Sequence, residues 1–398
     1  MTTASSIPKA GKWVPVFVLP NIFVNEPIGE NTAAIANCND SRVQQILADI
    51  PVLAEFTNRF SRPFGGQFLP SMMIMRENAP KTFFTVEAVS SFRDLVAMCI
   101  IPLSRARSAE WGRSFATYYS DWYDFYPWMI NTHHQHLVCS TPAVSDLEVV
   151  TDFNGQCDPG LSPVLLEPRD IDAVLMKILF RRWESHYKND SRKWANVALF
   201  RSLNSAVAAS KMPATVDVTL FDLGRSVSLW ISAFEILAHP KIGKSGLVPV
   251  YDLLDKAPWH DKKLQHKRYR AFISAIKARQ RGAPLRSLPC WLYGELYHAR
   301  NDFLHGNPIS KHRLHVKASG RSLFQYPPML YRMALSAFLQ AKINIKVPDA
   351  SRTKAYAKYV TKYFEVFSDQ LDIEKGIRTV LRRHRPDAHL ANAHQEQL

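Results

Sequence analysis

The amino-acid sequence predicts a mainly α-helical protein, in which an N-terminal mixed α/β domain is followed by an antiparallel helical bundle. Up to residue 165, short runs of β-branched and aromatic residues alternate with helical patterns. From Asp170 onward, apolar residues recur with a helical period over long stretches, and strand signals are few. The 398 residues, 46% of them hydrophobic, are sufficient for two or three globular domains.

These patterns divide the chain into three parts. Residues 1–165 form the mixed α/β domain, whose role and topology the sequence leaves open. Residues 166–345 form the helical bundle, which carries a basic insertion at 239–287. Residues 346–398 form a basic helical C-terminal extension.

The N-terminal domain is predicted to combine short strands with helices. Residues 13–24 are β-branched and aromatic with prolines between them, which is typical of edge strands. Asp40 or Ser41 is placed to cap a helix. The other predicted elements are strands at 72–75 and 82–86, paired with each other, and helices at 41–50 and 91–101.

The second part of the chain is predicted to be helical throughout, apart from its insertion. Each predicted helix carries apolar residues on one face at the helical spacing. These helices cover residues 170–188, 192–210, 216–238, 288–305 and 328–344. Residues 352–384 are helical and basic, and 386–398 resemble a frayed tail.

Positive charge is concentrated in the second half of the chain. Residues 1–190 contain 16 Lys and Arg against 20 Asp and Glu, whereas residues 191–398 contain 34 against 15. The excess of +19 in the second half attracts polyanions, nucleic acid above all. A basic domain without such a ligand is the alternative.

The cysteines and the apolar runs indicate the cell compartment. The five cysteines show no CxxC pair, which favours reduced thiols in a cytoplasm; they are Cys38, Cys99, Cys139, Cys157 and Cys290. We expect no signal segment at the N-terminus and no membrane span, because no run reaches 18 apolar residues.

A metal site is not expected. His133, His134, His136 and Cys139 have a spacing that ligands can have, but tetrahedral sites draw on two separated pairs and the sequence offers no second pair. A histidine-rich loop is the simpler interpretation. No cofactor motif is present.

Residues 296–308 combine a helix end with a dense group of polar side chains. Leu296, Ala299 and Phe303 belong to one apolar stripe, whereas Tyr297, Asn301 and His305, spaced by four, form a second stripe on the opposite side, with Arg300 on the flank. Gly306 and Pro308 follow at once and predict that the helix ends there.

This position has chemical consequences. The negative end of a helix favours a cationic imidazole and a nearby guanidinium opposes it, so His305 is suited to proton transfer near neutral pH. Arg300 offers a fork of donors for phosphate oxygens. Together they could bind a phosphodiester and move a proton near it. An arginine and a histidine at this spacing also occur by chance, and a surface arginine with a capping histidine is the alternative.

The helix end resembles a known family motif. The run RNDFLH from Arg300 to His305 is similar to the R-x4-6-H motif of the HEPN superfamily, with a polar residue after the arginine. Its surroundings, LYHARNDFLHG at 296–306, resemble the Apea-like HEPN group, as do LWISAFEIL at 229–237 and ALFRSLNSA at 198–206. The resemblance covers about residues 190–345 and excludes the N-terminal domain.

The resemblance implies a bundle of four or five helices that acts as a metal-independent endoribonuclease. Two bundles usually pair in such enzymes, so a homodimer is expected. The ribose 2′-hydroxyl attacks the adjacent phosphate, and the products carry a 2′,3′-cyclic phosphate and a 5′-hydroxyl. Many relatives are toxins or act in defence against phage, which implies a regulator or a phage trigger.

Carried over to this chain, the resemblance assigns roles to five residues. His305 is the general acid and base, Arg300 stabilises charge on the phosphorane, and Asn301 orients one or the other. Glu235 either pairs with Arg300 across the bundle or solvates the helix rim. Tyr297 is a supporting residue, favoured for packing or a dimer face over catalysis.

A basic run at 256–286 is the candidate RNA-binding segment. Cations contact backbone phosphates and an interleaved aromatic such as Tyr269 or Phe272 can stack on a base. A solvated helix docked through Phe272 is compatible with the same residues. The candidate contacts are Lys262, Lys263, Lys267, Arg268, Arg270, Lys277, Arg279 and Arg281, with the run 378–385 as a weaker second candidate.

Two other functions remain open at this point. A non-catalytic HEPN module that binds RNA or a protein is the main alternative, although the intact motif counts against it. The N-terminal domain carries neither a phosphate loop nor a nucleophile elbow, so we expect it to sense a trigger or position the target.

Overall fold

A computed structural model describes most of the chain, and it is mainly helical, with 62% helix and 12% strand. The described residues are 11–29, 31–58, 60, 66–112, 117–123, 128–130, 137–139, 163–188, 193–211, 220–243, 245–273, 284–309, 311–340 and 351–382. They fall into two compact units. The first comprises the described parts of 1–99 and 119–196, and the second those of 100–118 and 197–398.

Helices occur in both units. The α-helices are α1 (Ser41–Asp49), α2 (Pro51–Asn58), α3 (Val86–Trp111), α4 (Ala173–Lys188), α5 (Trp194–Ala209), α6 (Leu220–Leu237), α7 (Leu247–Asp255), α8 (Lys262–Gln265), α9 (Leu288–Leu304), α10 (Pro327–Phe338) and α11 (Thr353–Arg378). Short 3₁₀ helices lie at Lys81–Phe84, Ser120–Tyr123, Pro168–Asp170, Lys311–Leu314, Leu323–Gln325 and Thr379–Leu381.

The strands lie mainly in the first unit. They are β1 (Trp13–Leu19), β2 (Ile22–Val24), β3 (Ile28–Gly29), β4 (Ala33–Ala36), β5 (Ser71–Arg76), β6 (Trp128–Ile130), β7 (Leu137–Cys139), β8 (Val164–Leu166), β9 (Tyr269–Arg270) and β10 (Leu285–Arg286). The main sheet is antiparallel in the order β1-β5-β4-β3. β1 is an edge strand, as predicted, and its register shifts between Pro15 and Phe17.

The predicted pairing of 72–75 with 82–86 is wrong. β5 does form at 71–76, but its partners are β1 and β4. Residues 81–84 turn as a 3₁₀ helix, and Thr85 accepts a hydrogen bond from the Ala88 amide at 3.2 Å, which starts α3 at Val86. Phe83 is buried against Trp183, with ring centroids 4.8 Å apart, so tertiary packing outweighs the strand propensity of this run.

Helix α4 belongs to the first unit, although the sequence placed it in the bundle. Trp183 is fully buried there, and its Nε1 donates to the Ala88 carbonyl at 2.8 Å. Its ring lies 5.2 Å from that of Phe92, and Phe92 also meets Phe180 at 5.9 Å. This aromatic cluster holds α4 against the N-terminal part of α3.

Aromatic residues form the core of the second unit. Phe234 of α6 lies between Tyr293 of α9 and Tyr331 of α10, with ring centroids 5.0 and 5.5 Å away. The Ser202 hydroxyl of α5 donates to the Ala233 carbonyl at 2.7 Å and lies 2.6 Å from the Tyr331 hydroxyl. These contacts join α5, α6, α9 and α10 into one buried core.

Helix α11 packs closely into this unit at Gly376. A Cβ added there would lie 2.6 Å from Met329 Sδ and 2.8 Å from Ala106 Cα, so the helix approaches its neighbours at a distance that only glycine permits. Nearby, the buried Arg332 donates to Gln370 at 3.4 Å, and Gln370 donates to Glu374 at 2.9 Å. A polar network therefore anchors α11 beside a tightly packed contact.

Two further sequence expectations can be compared with the described residues. None of the described helices combines the length and the apolar character that crossing a membrane requires. Cys38, Cys99 and Cys290 are buried and are not in disulfides. The side chains of Cys139 and Cys157 lie outside the described part of the chain.

Candidate functional site

Helix α9 ends as the sequence predicted, in a glycine-terminated cap. His305 occupies the C-cap position with φ −95° and ψ 5°, and Gly306 follows with φ +68°. The Asn307 amide donates to the Asp302 carbonyl at 3.0 Å, which is the six-to-one bond of a Schellman motif. Backbone groups thus close the helix, and the exposed His305 side chain is not used in capping.

The apolar stripe of α9 faces the core. Leu292, Leu296 and Ala299 are at most 1% exposed. Phe303 extends this stripe to the last turn, where its ring covers Gly224 of α6. A Cβ built on Gly224 would lie 2.3 Å from Phe303 Cδ1, so the absence of a side chain there lets the end of α9 approach α6.

Arg300 is half-buried and held from two sides. Its Nη1 donates to Asn301 Oδ1 at 3.1 Å, and its guanidinium carbon lies 5.7 Å from the centre of the Tyr297 ring. The Nε atom is buried without a hydrogen-bond partner in the described structure. The guanidinium is thus partly fixed, with donors still unused.

Glu235 of α6 lies within electrostatic range of Arg300. Burial raises the pKa of Glu235, and the charge of Arg300 opposes that rise. In the described part of the chain its carboxylate has no hydrogen bond or ion pair. The Tyr293 hydroxyl is fully buried and also lacks a partner there. Burial raises the pKa of Tyr293 and, more modestly, of Tyr297, and the charge of Glu235 adds to both shifts.

The structure links four of the five proposed site residues through side-chain contacts or electrostatic interactions, and the fifth, His305, follows them at the helix end, where its amide donates to the Asn301 carbonyl at 3.0 Å. Glu235, Tyr297, Arg300 and Asn301 form one group, whereas His305 is exposed at the helix end. Across the described residues, no hydrogen bond joins Arg300 to His305. Five residues of α-helix turn through about 500°, so positions 300 and 305 point about 140° apart.

A second polar cluster on α9 was not anticipated from the sequence. Arg313 donates to Asp302 at 2.8 Å and to Glu295 at 3.2 Å, so it spans two turns of the helix. His298 stacks on Phe272, with ring centroids 4.6 Å apart and planes 17° from parallel. Burial and then the charge of Arg313 lower the pKa of His298. Arg313 lies beyond the helix in sequence, so helical periodicity gave no signal of it.

The described part of the basic run contains a short helix and a strand. Helix α8 ends at Gln265, and β9 at 269–270 pairs with β10 at 285–286 in an antiparallel ribbon, so the docked helix that the sequence left open does not include residues 266–270. The described candidate contacts are all exposed; they are Lys262, Lys263, Lys267, Arg268 and Arg270. Lys277, Arg279 and Arg281 lie outside the described residues.

The aromatic residues of this run are used in packing. The Tyr269 ring lies 5.9 Å from that of Trp291, and Arg268 lies over Tyr269 at 5.2 Å. Phe272 stacks on His298, and the Tyr251 hydroxyl donates to the Phe272 carbonyl at 2.9 Å. These contacts attach the segment to α9 and leave its cations at the surface.

A metal site needs several ligand side chains in one place. Among the residues that the structure describes, no group of three His, Cys, Asp or Glu side chains has a suitable arrangement. His133, His134 and His136 lie outside these residues, as does the side chain of Cys139.

Comparisons of the chain with models of protein families, with curated proteins and with solved structures find no match. The HEPN resemblance therefore rests on the three sequence segments at 198–206, 229–237 and 296–306.

Proposed function

We propose that the second unit is a HEPN-type bundle that cleaves RNA, with Arg300 and His305 as the catalytic residues. The main support is that one helix end carries a half-buried, partly fixed guanidinium together with an exposed imidazole that capping does not use. Metal-independent phosphodiester transfer needs stabilisation of negative charge and transfer of protons, and a guanidinium can supply the first and an imidazole the second.

The proposed reaction is an internal transfer followed by product release. The 2′-hydroxyl oxygen attacks the adjacent phosphorus as His305 takes up the hydroxyl proton. The bond from phosphorus to the 5′-oxygen then breaks, and that oxygen receives a proton from an imidazolium. The products are a 2′,3′-cyclic phosphate and a 5′-hydroxyl, so protons and bonds balance and neither a metal nor a cofactor takes part.

Arg300 stabilises the negative charge that develops on the phosphorane oxygens. Asn301 accepts from one edge of its guanidinium and thereby orients the remaining donors. Glu235 is assigned a supporting electrostatic role, because it is the acid of α6 whose charge interacts with Arg300. Tyr297 supports Arg300, whose guanidinium carbon lies over its ring at 5.7 Å.

A complete site would come from two copies of the chain. Positions 300 and 305 point to different sides of the end of α9, which favours a site whose guanidinium and imidazole come from different copies. A homodimer in which two helix ends face each other would place the arginine of one copy near the histidine of the other. The cellular setting is proposed by resemblance alone: a cytoplasmic toxin or anti-phage nuclease, controlled by a regulator or a phage trigger.

The test is cleavage of mixed RNA by the purified full-length protein in the presence of EDTA. We expect products ending in 2′,3′-cyclic phosphate and 5′-hydroxyl, and a loss of cleavage of about 100-fold or more for Arg300→Ala and His305→Ala. His312→Ala, which removes another exposed histidine of the same unit, is the control.

Two outcomes would contradict the proposal. Equal cleavage by Arg300→Ala, His305→Ala and the parent would show that the site lies elsewhere. RNA that is bound but never cleaved would favour the alternative, a non-catalytic RNA-binding or protein-interaction module.

A further inference from the structure

Two basic runs that are about 110 residues apart in sequence meet in the second unit. The first carries Lys262, Lys263 and Lys267, which are exposed and have no carboxylate partner in the described chain. The second is the C-terminal end of α11, where Lys375 and Arg378 are exposed. Arg378 donates to Asp261 at 2.9 Å, so the end of α11 adjoins the start of α8.

Glu374 fixes this junction from inside. Its carboxylate accepts hydrogen bonds from the backbone amides of His260 and Asp261, at 2.7 and 2.6 Å. The Glu374 side chain is buried, and Gln370 donates both to it and to the Pro258 carbonyl. Helix α11 thus clamps the turn that leads into the basic segment.

We propose that residues 262–270 and the end of α11 form one surface that binds the phosphodiester backbone of RNA, and that Glu374 holds its two parts in register. Asp261 is the acid at the junction, and its carboxylate is already bonded to the Lys263 amide and to Arg378. Asp372 also lies at the end of α11, 3.9 Å from Lys375, and it pairs with Arg107. In the described chain, the positive charge without a carboxylate partner therefore lies mainly on Lys262, Lys263 and Lys267, which suits a polyanion.

The surface fits a nucleic acid better than an anionic membrane. A membrane-binding segment would turn large apolar side chains outward, to enter the lipid. Here Leu264 and Ala271 are buried, and Tyr269 is half-buried against Trp291. The exposed side chains of residues 262–270 are all charged or polar. Two apolar side chains flank them, Leu285 in the same ribbon and Leu381 beyond the end of α11, at 53% and 51% exposed, so the contact that the surface offers is mainly electrostatic.

The surface also leads toward the proposed catalytic residues, and its assignment to an RNA substrate rests on the proposed function. Tyr269 packs on Trp291 near the start of α9, and Phe272 packs on His298 near its end. The segment therefore runs along α9 toward Arg300. At 1.5 Å per residue, position 291 lies about 14 Å from position 300 along the axis, a distance that a few nucleotides span.

The first experiment measures RNA affinity in a His305→Ala background of the full-length protein, at several salt concentrations. Lys262→Gln with Lys263→Gln should weaken binding of a labelled single-stranded RNA and lower the salt slope by roughly 1.4, since each lost phosphate contact removes about 0.7. Lys375→Gln with Arg378→Gln should act in the same direction. Lys354→Gln with Lys358→Gln removes the same charge from the other end of α11 and should change little.

The second experiment distinguishes the structural role of Glu374, which holds the turn, from the effect of its negative charge on RNA binding. Glu374→Gln removes a negative charge, which by itself strengthens polyanion binding. We expect the opposite, a loss of roughly tenfold, because glutamine keeps one acceptor oxygen but turns an NH2 group toward the second of the two backbone amides at 260–261. Stronger RNA binding by a folded Glu374→Gln protein would show that Glu374 does not hold the turn in place. If this variant fails to fold, the proposal is decided by the two double variants, Lys262→Gln with Lys263→Gln and Lys375→Gln with Arg378→Gln.

The remaining outcomes are distinguishable. If Lys262→Gln with Lys263→Gln and Lys375→Gln with Arg378→Gln both bind RNA as tightly as the parent, the proposed surface is wrong. Binding to anionic phospholipid vesicles in place of RNA would overturn the assignment to a nucleic acid. The parent protein could also fail to cleave RNA while the His305→Ala protein still binds it. That result would support the surface and contradict the proposed function.

Discussion

Arg300 donates a hydrogen bond to Asn301, the next residue in the chain, with 3.1 Å between Nη1 and Oδ1. Neighbouring residues of a helix point about 100° apart, so this contact requires both side chains to lean toward each other. It turns one edge of the guanidinium along the helix surface. The residue after the arginine therefore determines which donors face a bound phosphate.

Asn301→Ala should lower the rate of RNA cleavage by about tenfold, because a hydrogen bond to a charged group is lost and Arg300 gains orientational freedom. Asn301→Asp keeps the acceptor and should retain more activity than Asn301→Ala. Single-turnover rates at saturating RNA measure this effect. Equal rates for the parent and Asn301→Ala would remove Asn301 from the positioning role.

Gly306→Ala should destabilise the protein by about 1 kcal/mol, because Gly306 has φ +68° and an alanine is strained there. Gly306→Asn should cost less, since asparagine tolerates this conformation. Chemical denaturation of the two variants gives the comparison. A cost for asparagine as large as that for alanine would mean that the conformation is not the cause.

Gly224→Ala should cost about 1–3 kcal/mol through overpacking, because the new Cβ would meet the Phe303 ring at 2.3 Å. Phe303→Leu in the same chain should recover part of that loss by opening space. Unfolding free energies of the two single variants and the double variant test this coupling. Strictly additive energies would show that the two residues do not share the contact.

Glu235→Gln should change how stability depends on pH. Burial raises the pKa of Glu235 above its ordinary value of 4.5, so the folded protein binds this proton more tightly than the unfolded chain. The carboxyl therefore makes its full contribution to stability below about pH 4.5, and this contribution falls as pH rises through the raised pKa.

The glutamine side chain of the Glu235→Gln variant does not titrate, so its contribution to stability does not depend on pH. The melting temperature of Glu235→Gln relative to the parent should therefore be more favourable at pH 7 than at pH 4. Asp252→Asn, at an exposed acid of α7, is the matched control and should show a smaller difference. A difference between Glu235→Gln and the parent that does not vary with pH would contradict the raised pKa.

Local signals in the sequence predicted the helices well. Asp40 caps α1 through a hydrogen bond to the Arg42 amide at 2.9 Å, and Gly306 ends α9, both read from residue type and position. The strand β4 at 33–36 was missed because three of its four residues are alanine, which has low strand propensity. Its formation depends on pairing with β5, which local patterns do not encode.

In the candidate site, too, some features follow from local sequence patterns and others depend on tertiary structure. The stripe of Leu292, Leu296 and Ala299, and the polar group at the end of α9, follow from helical spacing. The contact between Phe272 and His298 and the ribbon at 269–270 depend on residues brought together by tertiary structure. The approach of Glu235 to Arg300 likewise joins two helices, so the sequence left its role undecided.

The contact at Gly376 has an implication for how this protein could vary. Glu374, which holds the turn at 260–261, lies only two residues before the position where α11 meets Met329 and Ala106. Any side chain at 376 would lift the helix outward and carry Glu374 with it. Affinity for a polyanion could thus be adjusted from the protein interior, by a residue that never touches the ligand and carries no charge.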